Sequence, residues 1–373
     1  MNIIVIGGGA AGLMAAGTAA EQGANVTLFE TNEKVGRKLF ITGKGRCNVC
    51  NDCDAQEVLR NVPVNPRFLY SALGAFSPAD VKAFFEEKGV ALKTERGNRV
   101  FPVSDRASDI IDALFLWVRR TGVSIVHASV SDLVMQDGRV TGVRAGKKTC
   151  PADRVIVATG GASYPQTGST GDGYRFAREA GHTVVPANPS LVPLVESGET
   201  CRSLMGLSLR NVQLTVFENE KKIYTDFGEM LFTHFGLSGP LVLSASAHMR
   251  HFGSKSYRVE IDLKPALDEK TLDRRLLTDF DKHKNSDFIN ALGELLPRKL
   301  IPAVIEKSGI DPREKVNTIT KKQRASLLRV LKCFPVEISG KRPIAEAIVT
   351  TGGVSVREVS PKTMESKKCS GLY

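Results

Sequence analysis

Three glycines near the amino terminus have the spacing of a dinucleotide-binding turn. Gly7, Gly9 and Gly12 form the pattern G-x-G-x-x-G, in which glycine permits a tight turn and lets the backbone approach a pyrophosphate. The helix that should follow begins with Ala10 and Ala11, and the positive amino end of a helix attracts phosphate. The pattern therefore predicts a cradle for the phosphates of a dinucleotide.

Glu30 lies eighteen residues beyond Gly12, at the end of the next apolar segment. A carboxylate at this position of a Rossmann unit accepts hydrogen bonds from the ribose hydroxyls of an adenosine. The same charge repels a 2′-phosphate, which disfavours NADP at this site. Both FAD and NAD fit the fingerprint, so the choice between them needs further features.

Two further groups of residues are candidates for chemistry. His234, in the segment LFTHFGLSGP, is a candidate proton donor because an imidazole titrates near neutral pH; a structural histidine is the alternative. Cys47, Cys50 and Cys53 form C-x-x-C-x-x-C, which starts like an iron–sulfur motif. The fourth cysteine of that motif would fall at Glu57 and no proline follows it, so no metal site is expected.

The elements that must position the glycines and Glu30 follow from the apolar pattern. Residues 2–6 and 25–29 are rich in apolar residues and flank an alanine-rich helical segment, which together predict a βαβ unit. Later segments predict two helices, a hairpin around Asp137-Gly138 and a buried strand that runs into ATGG. These segments are residues 78–88, 106–120, 130–135 with 139–144, and 154–159.

The pattern changes near Asn188-Pro189. Residues 191–267 are strand-rich and predict a barrel-like part, and residues 268–340 predict a helical part in which residues 268–331 are mostly amphipathic helix. A strand and a glycine turn similar to those of the first domain follow near residues 347–356. A chain of 373 residues is long enough for more than one domain. We therefore predict an α/β fold in which a discontinuous domain, residues 1–190 with 341–373, is interrupted by an insert at 191–340.

Composition narrows the class of protein. Hydrophobic residues make up 42% and charged residues 24% of the chain, which is typical of an ordinary globular protein. The net charge of +11 is spread along the sequence and aromatic residues make up only 6%, which argues against a dedicated nucleic-acid groove. Seven cysteines without a secretory leader indicate reduced thiols and a cytoplasmic protein, and no membrane segment is expected.

Four segments resemble those of a flavoprotein family that includes enzymes named aminoacetone oxidases and bile-acid-inducible flavin reductases. They are KLFITGKGRCNVCN (38–51), TGSTGDGY (167–174), LFTHFGLSGP (231–240) and EAIVTTGGVSVREVSPKTMESK (346–367). Together with the amino-terminal unit they span nearly the whole chain. The resemblance implies FAD as the cofactor and a Rossmann-like FAD-binding domain interrupted by a β-barrel and a small helical part.

The resemblance also implies which residues line the cofactor. Four basic side chains would make charge-assisted contacts to the pyrophosphate, namely Arg37, Lys38, Lys44 and Arg46. The alternative is that they lie in a solvated loop. The residues that would line the cofactor are Gly7, Gly9, Ala10, Ala11, Gly12, Glu30, Arg37, Lys38, Gly43, Gly45, Arg46, Cys47, Asn48, Val130, Thr159, Gly160, Gly161, Thr350, Gly352 and Gly353.

The implied function is that of an FAD-dependent oxidoreductase, which exchanges a hydride with a small, partly apolar substrate. Reduction of an unsaturated bile-acid or steroid-like molecule with NAD(P)H, oxidation of an aminoacetone-type amine by oxygen, and a tRNA-directed reaction remain alternatives. No second G-x-G-x-x-G is present, so NAD(P)H is expected to bind transiently in the substrate cleft. Family members continue beyond the position of Tyr373 into a glycine-rich segment over the flavin, so an open flavin pocket is expected for this chain.

Overall fold

The computed structural model describes all 373 residues. Its contacts divide the chain into two compact units. The first, which we call the sheet unit, comprises Met1–Asn188 together with Thr350–Tyr373. The second, the barrel unit, comprises Pro189–Val349.

Eleven strands and seven helices come before the barrel unit in the chain. The last of these strands, β11, reaches the boundary between the two units. The strands are β1 (Asn2–Ile6), β2 (Asn25–Glu30), β3 (Cys50–Asn51), β4 (Leu92–Glu95), β5 (Arg99–Pro102), β6 (Ser124–His127), β7 (Val130–Gln136), β8 (Arg139–Ala145), β9 (Lys148–Pro151), β10 (Arg154–Val157) and β11 (Val184–Ser190). The helices are α1 (Ala10–Glu21), α2 (Arg37–Ile41), α3 (Ala55–Arg60), α4 (Tyr70–Ala75), α5 (Pro78–Glu87), α6 (Ala107–Arg120) and α7 (Asp172–Glu179).

A four-stranded parallel sheet in the order β10-β1-β2-β6 forms the centre of the sheet unit. Side chains of β1 alternate between its two faces. Ile3 and Val5 pack with α1 and α6 on one face, whereas Ile4 and Ile6 pack with α7 and the β7–β9 meander on the other. A strand that is buried on both faces needs a continuous apolar run, which explains the sequence NIIVI.

Two small antiparallel sheets complete this unit. The first is the meander β7-β8-β9, which turns at Asp137 and Gly138 as the sequence predicts, and the second has the order β3-β5-β4. The last residues of the chain run parallel to β10, where the Tyr373 N–H donates to the Val155 carbonyl at 2.9 Å. Because β1, β2 and β10 are parallel, their carboxyl ends lie at one edge of the central sheet, which is where open α/β sheets bind ligands.

The barrel unit contains six strands that close into a barrel in the order β12-β15-β14-β13-β16-β17, and six helices. The strands are β12 (Leu194–Glu196), β13 (Ser208–Glu218), β14 (Lys221–Thr233), β15 (Gly236–Ser238), β16 (Tyr257–Asp262) and β17 (Phe334–Lys341). The helices are α8 (Thr200–Ser203), α9 (Pro240–Ser246), α10 (Glu269–Lys282), α11 (Phe288–Ala291), α12 (Ile301–Ser308) and α13 (Lys321–Lys332). Strand β18 (Val349–Val354) then pairs with β11.

The predicted α/β class, a Rossmann-type sheet with an insert of barrel and helices, is confirmed. The predicted helical part, residues 268–340, is wrong at its end. Residues 334–341 form β17, which pairs with β16 and β12 and closes the barrel. Phe334, Val336 and Ile338 are its buried positions, and this alternation is that of a strand with one face in the barrel core. The contacts also extend the insert to Val349 rather than to residue 340.

None of the helices combines the length and the apolar composition that a membrane span requires.

Candidate functional site

The glycine turn between β1 and α1 is shaped by close backbone contacts. Gly7 has φ +107°, and a Cβ there would lie 2.5 Å from the carbonyl oxygen of Ala158. A Cβ at Gly12 would overlap the carbonyl oxygen of Gly7. At Gly9, by contrast, no atom lies within 4 Å of the Cβ position. Gly7 and Gly12 are therefore required by the turn itself, whereas Gly9 leaves an open surface for a ligand.

Helix α1 presents an uncapped amino end at this surface. Gly9 is its N-cap and offers no side-chain hydrogen bond, and the first turn contains no acidic residue. Ala10 and Ala11 are exposed, and the first N–H groups of a helix have no acceptor within it. These donors and the positive end of the helix dipole suit a phosphate.

Glu30 ends β2 and is only 8% exposed. Its Oε2 accepts the Gly8 N–H at 2.7 Å, and its Oε1 accepts the backbone and side-chain N–H groups of Asn32 at 2.8 Å and 2.6 Å. Each carboxylate oxygen can accept two hydrogen bonds, so Oε2 retains capacity for a ribose hydroxyl. Glu30 thus braces the glycine turn and still offers an acceptor beside it.

Asn32 links three segments around Glu30 and was missed from the sequence. Its amide nitrogen also approaches the Thr167 carbonyl at 3.3 Å, and its Oδ1 accepts from Arg37 at 2.7 Å. A Cβ at Gly168 would lie 2.8 Å from the same amide nitrogen. No sequence signal identifies such a residue, because an asparagine after a strand is common in any turn.

The loop after α2 is held in left-handed backbone conformations. Gly43, Gly45 and Cys47 have φ of +57°, +85° and +61°. Cys47 is 1% exposed and its N–H donates to the Thr42 carbonyl at 3.0 Å, while burial raises the pKa of its thiol. The amide of Asn48, oriented to donate, reaches the carbonyls of Cys50 at 3.1 Å and of Val100 at 3.3 Å. Cys47 and Asn48 therefore shape this loop.

The other two cysteines of C-x-x-C-x-x-C are not poised as ligands. Burial raises the pKa of Cys50 to about 11, and its Sγ approaches the Pro78 carbonyl at 3.9 Å. The pKa of Cys53 is also raised, first by burial and then by neighbouring carboxylates. Thiolate is the form that binds metals, and burial disfavours it at all three cysteines.

Two of the basic side chains expected at the pyrophosphate, Lys38 and Arg46, are engaged with protein groups, whereas Lys44 is exposed. Lys38 Nζ donates to Ser163 Oγ at 2.7 Å, and burial lowers its pKa. Arg46 Nη1 lies 2.8 Å from Glu95 and 3.3 Å from Asp105, and its guanidinium stacks 4.0 Å from the centre of the Phe101 ring. A guanidinium paired with two carboxylates adds little net positive charge to its surroundings.

The loop after β10 meets β18 around the side chain of Tyr174. Cβ atoms at Gly161 and Gly353 would lie 3.1 Å and 3.3 Å from atoms of Tyr174, whose hydroxyl is 3.3 Å from Thr350 Oγ1. These two glycines, which we expected at the cofactor, also make room for this tyrosine. A Cβ at Gly352 would overlap the carbonyl oxygen of Pro186.

Thr159 and Gly160 border the same region. Thr159 Oγ1 is buried without a hydrogen-bond partner, and a Cβ at Gly160 would lie 2.8 Å from Ser169 Oγ. Thr159 and Gly160 also line a cavity of about 230 Å³ between β10 and α7. Val130 begins β7, pairs with Ala145 of β8, and has its side chain 7% exposed in the core, so its side chain is not available to a ligand.

His234 lies in the barrel unit, in the turn between β14 and β15, and is exposed. Its ring packs edge-to-face on Phe235 at 4.9 Å, and Phe235 in turn faces the guanidinium of Arg342 at 4.7 Å. Its catalytic role stays a prediction.

The residues around the glycine turn fit the ADP part of a dinucleotide. Gly9 has no neighbour where a ligand would lie, the first turn of α1 carries free N–H donors, and Glu30 has a spare acceptor. The orphaned hydroxyl of Thr159 adds an unsatisfied buried group at the same edge of the sheet. Buried polar atoms without partners are rare in native proteins.

Comparison with known proteins gives one matching family. The model described as HI0933-like protein Rossmann domain matches residues 1–373. A 3-dehydro-bile acid delta(4,6)-reductase of Clostridium scindens is 32% identical over 100% of this chain and 91% of its own length. A ribosomal RNA dihydrouridine synthase of Haemophilus influenzae is 32% identical over 99% of this chain and 90% of its own length.

Among solved structures, the 3-ketosteroid-delta4-(5alpha)-dehydrogenase of Rhodococcus jostii covers 100% of this chain and 89% of its own, with 15% identity and a TM-score of 0.43. The flavoprotein resemblance seen in the sequence segments is confirmed by the family match.

Proposed function

This chain belongs to the HI0933-like Rossmann family of oxidoreductases, and we propose that it binds FAD and reduces a carbon–carbon double bond conjugated to a carbonyl group. The observation that carries the cofactor part is the cradle of Gly9, the uncapped end of α1 and Glu30. Bound FAD supplies hydride exchange, and the protein supplies binding, orientation and electrostatics.

The substrate class follows from what two full-length relatives have in common. One is named for a delta(4,6) reduction of a 3-dehydro-bile acid and the other for dihydrouridine in ribosomal RNA. A steroid ring and a uracil ring differ in shape and polarity. Both names describe saturation of a ring double bond conjugated to a carbonyl, and we carry only that shared chemistry over to this chain.

Reduction of such a double bond adds a hydride at the carbon remote from the carbonyl and a proton at the adjacent carbon. We infer that His234 supplies this proton, since its ring is exposed and packs edge-to-face on Phe235. A His234→Ala variant should lower turnover by about 10²–10⁴-fold and leave FAD affinity unchanged. Turnover within twofold of the parent would assign His234 a structural role.

The second redox partner remains part of the proposal. Alkene reduction needs a two-electron donor that reduces the flavin, and we propose reduced nicotinamide dinucleotide for this role. Oxygen would be the acceptor in the alternative oxidation of an aminoacetone-type amine. The relatives named for ribosomal RNA favour RNA as a second candidate substrate, in place of the tRNA considered from the sequence.

The experiment that tests the cofactor assignment is a titration of the intact protein with FAD, followed by absorbance and by the identity of the extracted ligand. We expect one FAD per chain with a flavin spectrum that is shifted from that of free FAD. A protein that binds NAD in preference to FAD, or neither, would refute the assignment.

A further inference from the structure

The cavity between β10 and α7, of about 230 Å³, is also bordered by the end of β18 and the segment that follows it, all within the sheet unit. Native protein interiors contain few voids larger than a water molecule. A dry apolar cavity of about 150 Å³ already admits benzene, so this space suits a molecule of one ring. The apolar side chains of its wall include Val157, Phe176, Ala177, Val354, Met364 and Leu372.

Close contacts join the walls of this cavity to one another. The Val157 N–H donates to the Tyr373 carbonyl, and the Ser366 N–H donates to the Leu372 carbonyl, each at 2.8 Å. On the side of α7, a Cβ at Gly173 would lie 3.5 Å from Val157 Cγ1. The strand, the helix and the last segment of the chain are therefore packed together, and the cavity is enclosed by ordered elements of the fold.

Thr159 gives the cavity wall a hydroxyl group that has no protein partner. Its Oγ1 is buried and makes no hydrogen bond. A Cβ at Gly173 would lie 2.6 Å from this oxygen, so the hydroxyl faces α7, which forms the other side of the cavity. A buried polar group without a partner destabilises the fold. A ligand with a hydrogen-bonding oxygen would satisfy it.

Two other polar side chains of the wall are engaged with each other. Ser366 Oγ accepts from the N–H groups of Lys368 and Cys369 at 3.0 Å and 2.9 Å. Its own proton is therefore donated to His182 Nε2, which is 2.7 Å away. His182 Nδ1 lies 3.4 Å from Glu358, which is outside the cavity. No lysine, arginine, aspartate or glutamate lines the cavity, so a charged ligand would lose its hydration without a counter-charge.

We propose that this cavity binds an uncharged molecule of one ring with a single hydrogen-bonding oxygen, which bonds to Thr159 Oγ1. The apolar wall favours burial of the ring, and a threonine hydroxyl can both donate and accept. Neither Gly9 nor Glu30 lines the cavity, so the site is separate from the glycine cradle. The inference goes beyond the proposed reduction and does not depend on it.

Titration of the intact protein with 4-fluorophenol and 4-fluorotoluene, followed by fluorine NMR, tests this site without any turnover. The two probes have nearly the same size, and only the first can bond to Thr159. We expect both to bind the parent in a one-to-one ratio. Thr159→Val keeps the shape of the side chain and removes its hydroxyl, so it should weaken 4-fluorophenol by about threefold to tenfold and leave 4-fluorotoluene within twofold. Ala177→Leu fills the cavity and should weaken both probes by more than tenfold.

Thr141→Val is the matched control, because Thr141 is a half-buried threonine of β8 outside the cavity. It should leave both affinities within twofold, as should the addition of FAD. Failure of both probes to bind the parent, or an unchanged 4-fluorophenol affinity in Thr159→Val, overturns the proposal. Loss of both probes on addition of FAD would assign the cavity to the cofactor site and would also overturn it. Circular dichroism of each variant verifies that it is folded.

Discussion

The glycine cradle of the sheet unit and Lys341 of the barrel unit present positive charge in opposite ways. At the cradle the donors are backbone N–H groups of α1, and the neighbouring cations Lys38 and Arg46 are engaged with Ser163, Glu95 and Asp105. At Lys341 the donor is a half-buried side chain that donates to the Pro189 carbonyl, and no carboxylate offsets its charge. Basic residues near a glycine motif are therefore a poor guide to the anion site; what matters is whether their charge is already neutralised.

The largest effect that this comparison predicts is at Gly12. In Gly12→Ala the new Cβ overlaps the Gly7 carbonyl oxygen, and overpacking against backbone costs about 3 kcal/mol. FAD affinity should fall by about a hundredfold or more, together with the thermal midpoint. In Gly9→Ala the Cβ meets no protein atom, so the midpoint should hold while FAD binding weakens. Equal losses of stability in both variants would contradict this account of the cradle.

Glu30→Ala should have the next largest effect. It removes the acceptor of the Gly8 and Asn32 N–H groups and the acceptor offered to a ribose. Leaving these groups unsatisfied costs about 1–3 kcal/mol, so FAD affinity should fall by about tenfold to a hundredfold in a fluorescence titration. Glu33→Ala, an exposed carboxylate three residues on, is the control, and a similar loss there would remove Glu30 from its assigned role.

Lys341→Met should stabilise the protein, which would set Lys341 apart from the paired cations of the sheet unit. The pKa of Lys341 is lowered to about 8 in the folded chain, whereas an unfolded lysine titrates near 10.4. Below about pH 8 the folded state therefore carries a penalty, which disappears as the pH rises towards 10.4. The variant should be more stable than the parent by about 1–3 kcal/mol at pH 7, and this gain should shrink by pH 10. A variant that is less stable at pH 7 would mean that the charge is compensated.

Arg46→Gln should have the smallest effect on the cofactor. Its guanidinium is paired with Glu95 and Asp105, so we expect FAD affinity within about threefold of the parent, since exposed ion pairs contribute little. A fall of more than tenfold, with the fold intact, would restore Arg46 as a phosphate ligand.

The βαβ unit could be predicted from the sequence because its signals are local. Gly7, Gly9 and Gly12 and the apolar alternation of β1 specify the turn and the buried strand without reference to distant residues. The resemblance of four segments to known flavoproteins added the barrel insert. The boundary of its helical part was set at residue 340, beyond the helical pattern, because nothing local in the sequence shows that β17 pairs with β12 and β16.

Other features could not be read from the sequence because they depend on tertiary contacts. Asn32 and Tyr174 acquire their positions only when loops from three segments meet. Pairing of Arg46 with Glu95 and isolation of Lys341 from any carboxylate are likewise properties of the folded chain. Counting the charged residues of the sequence reveals neither this pairing nor this isolation.

The most direct test of the central claim, reduction of a conjugated double bond by bound FAD, is anaerobic reoxidation of the photoreduced holoprotein. The reduced protein is mixed with a 3-oxo-4,6-diene steroid, or with a uridine-containing RNA, and flavin absorbance is followed together with the mass of the product. We predict that one of these substrates reoxidises the flavin in a one-to-one ratio and gains two hydrogens, whereas the saturated 3-oxo steroid does not. A flavin that stays reduced with both conjugated substrates, and is reoxidised only by oxygen, would contradict the account.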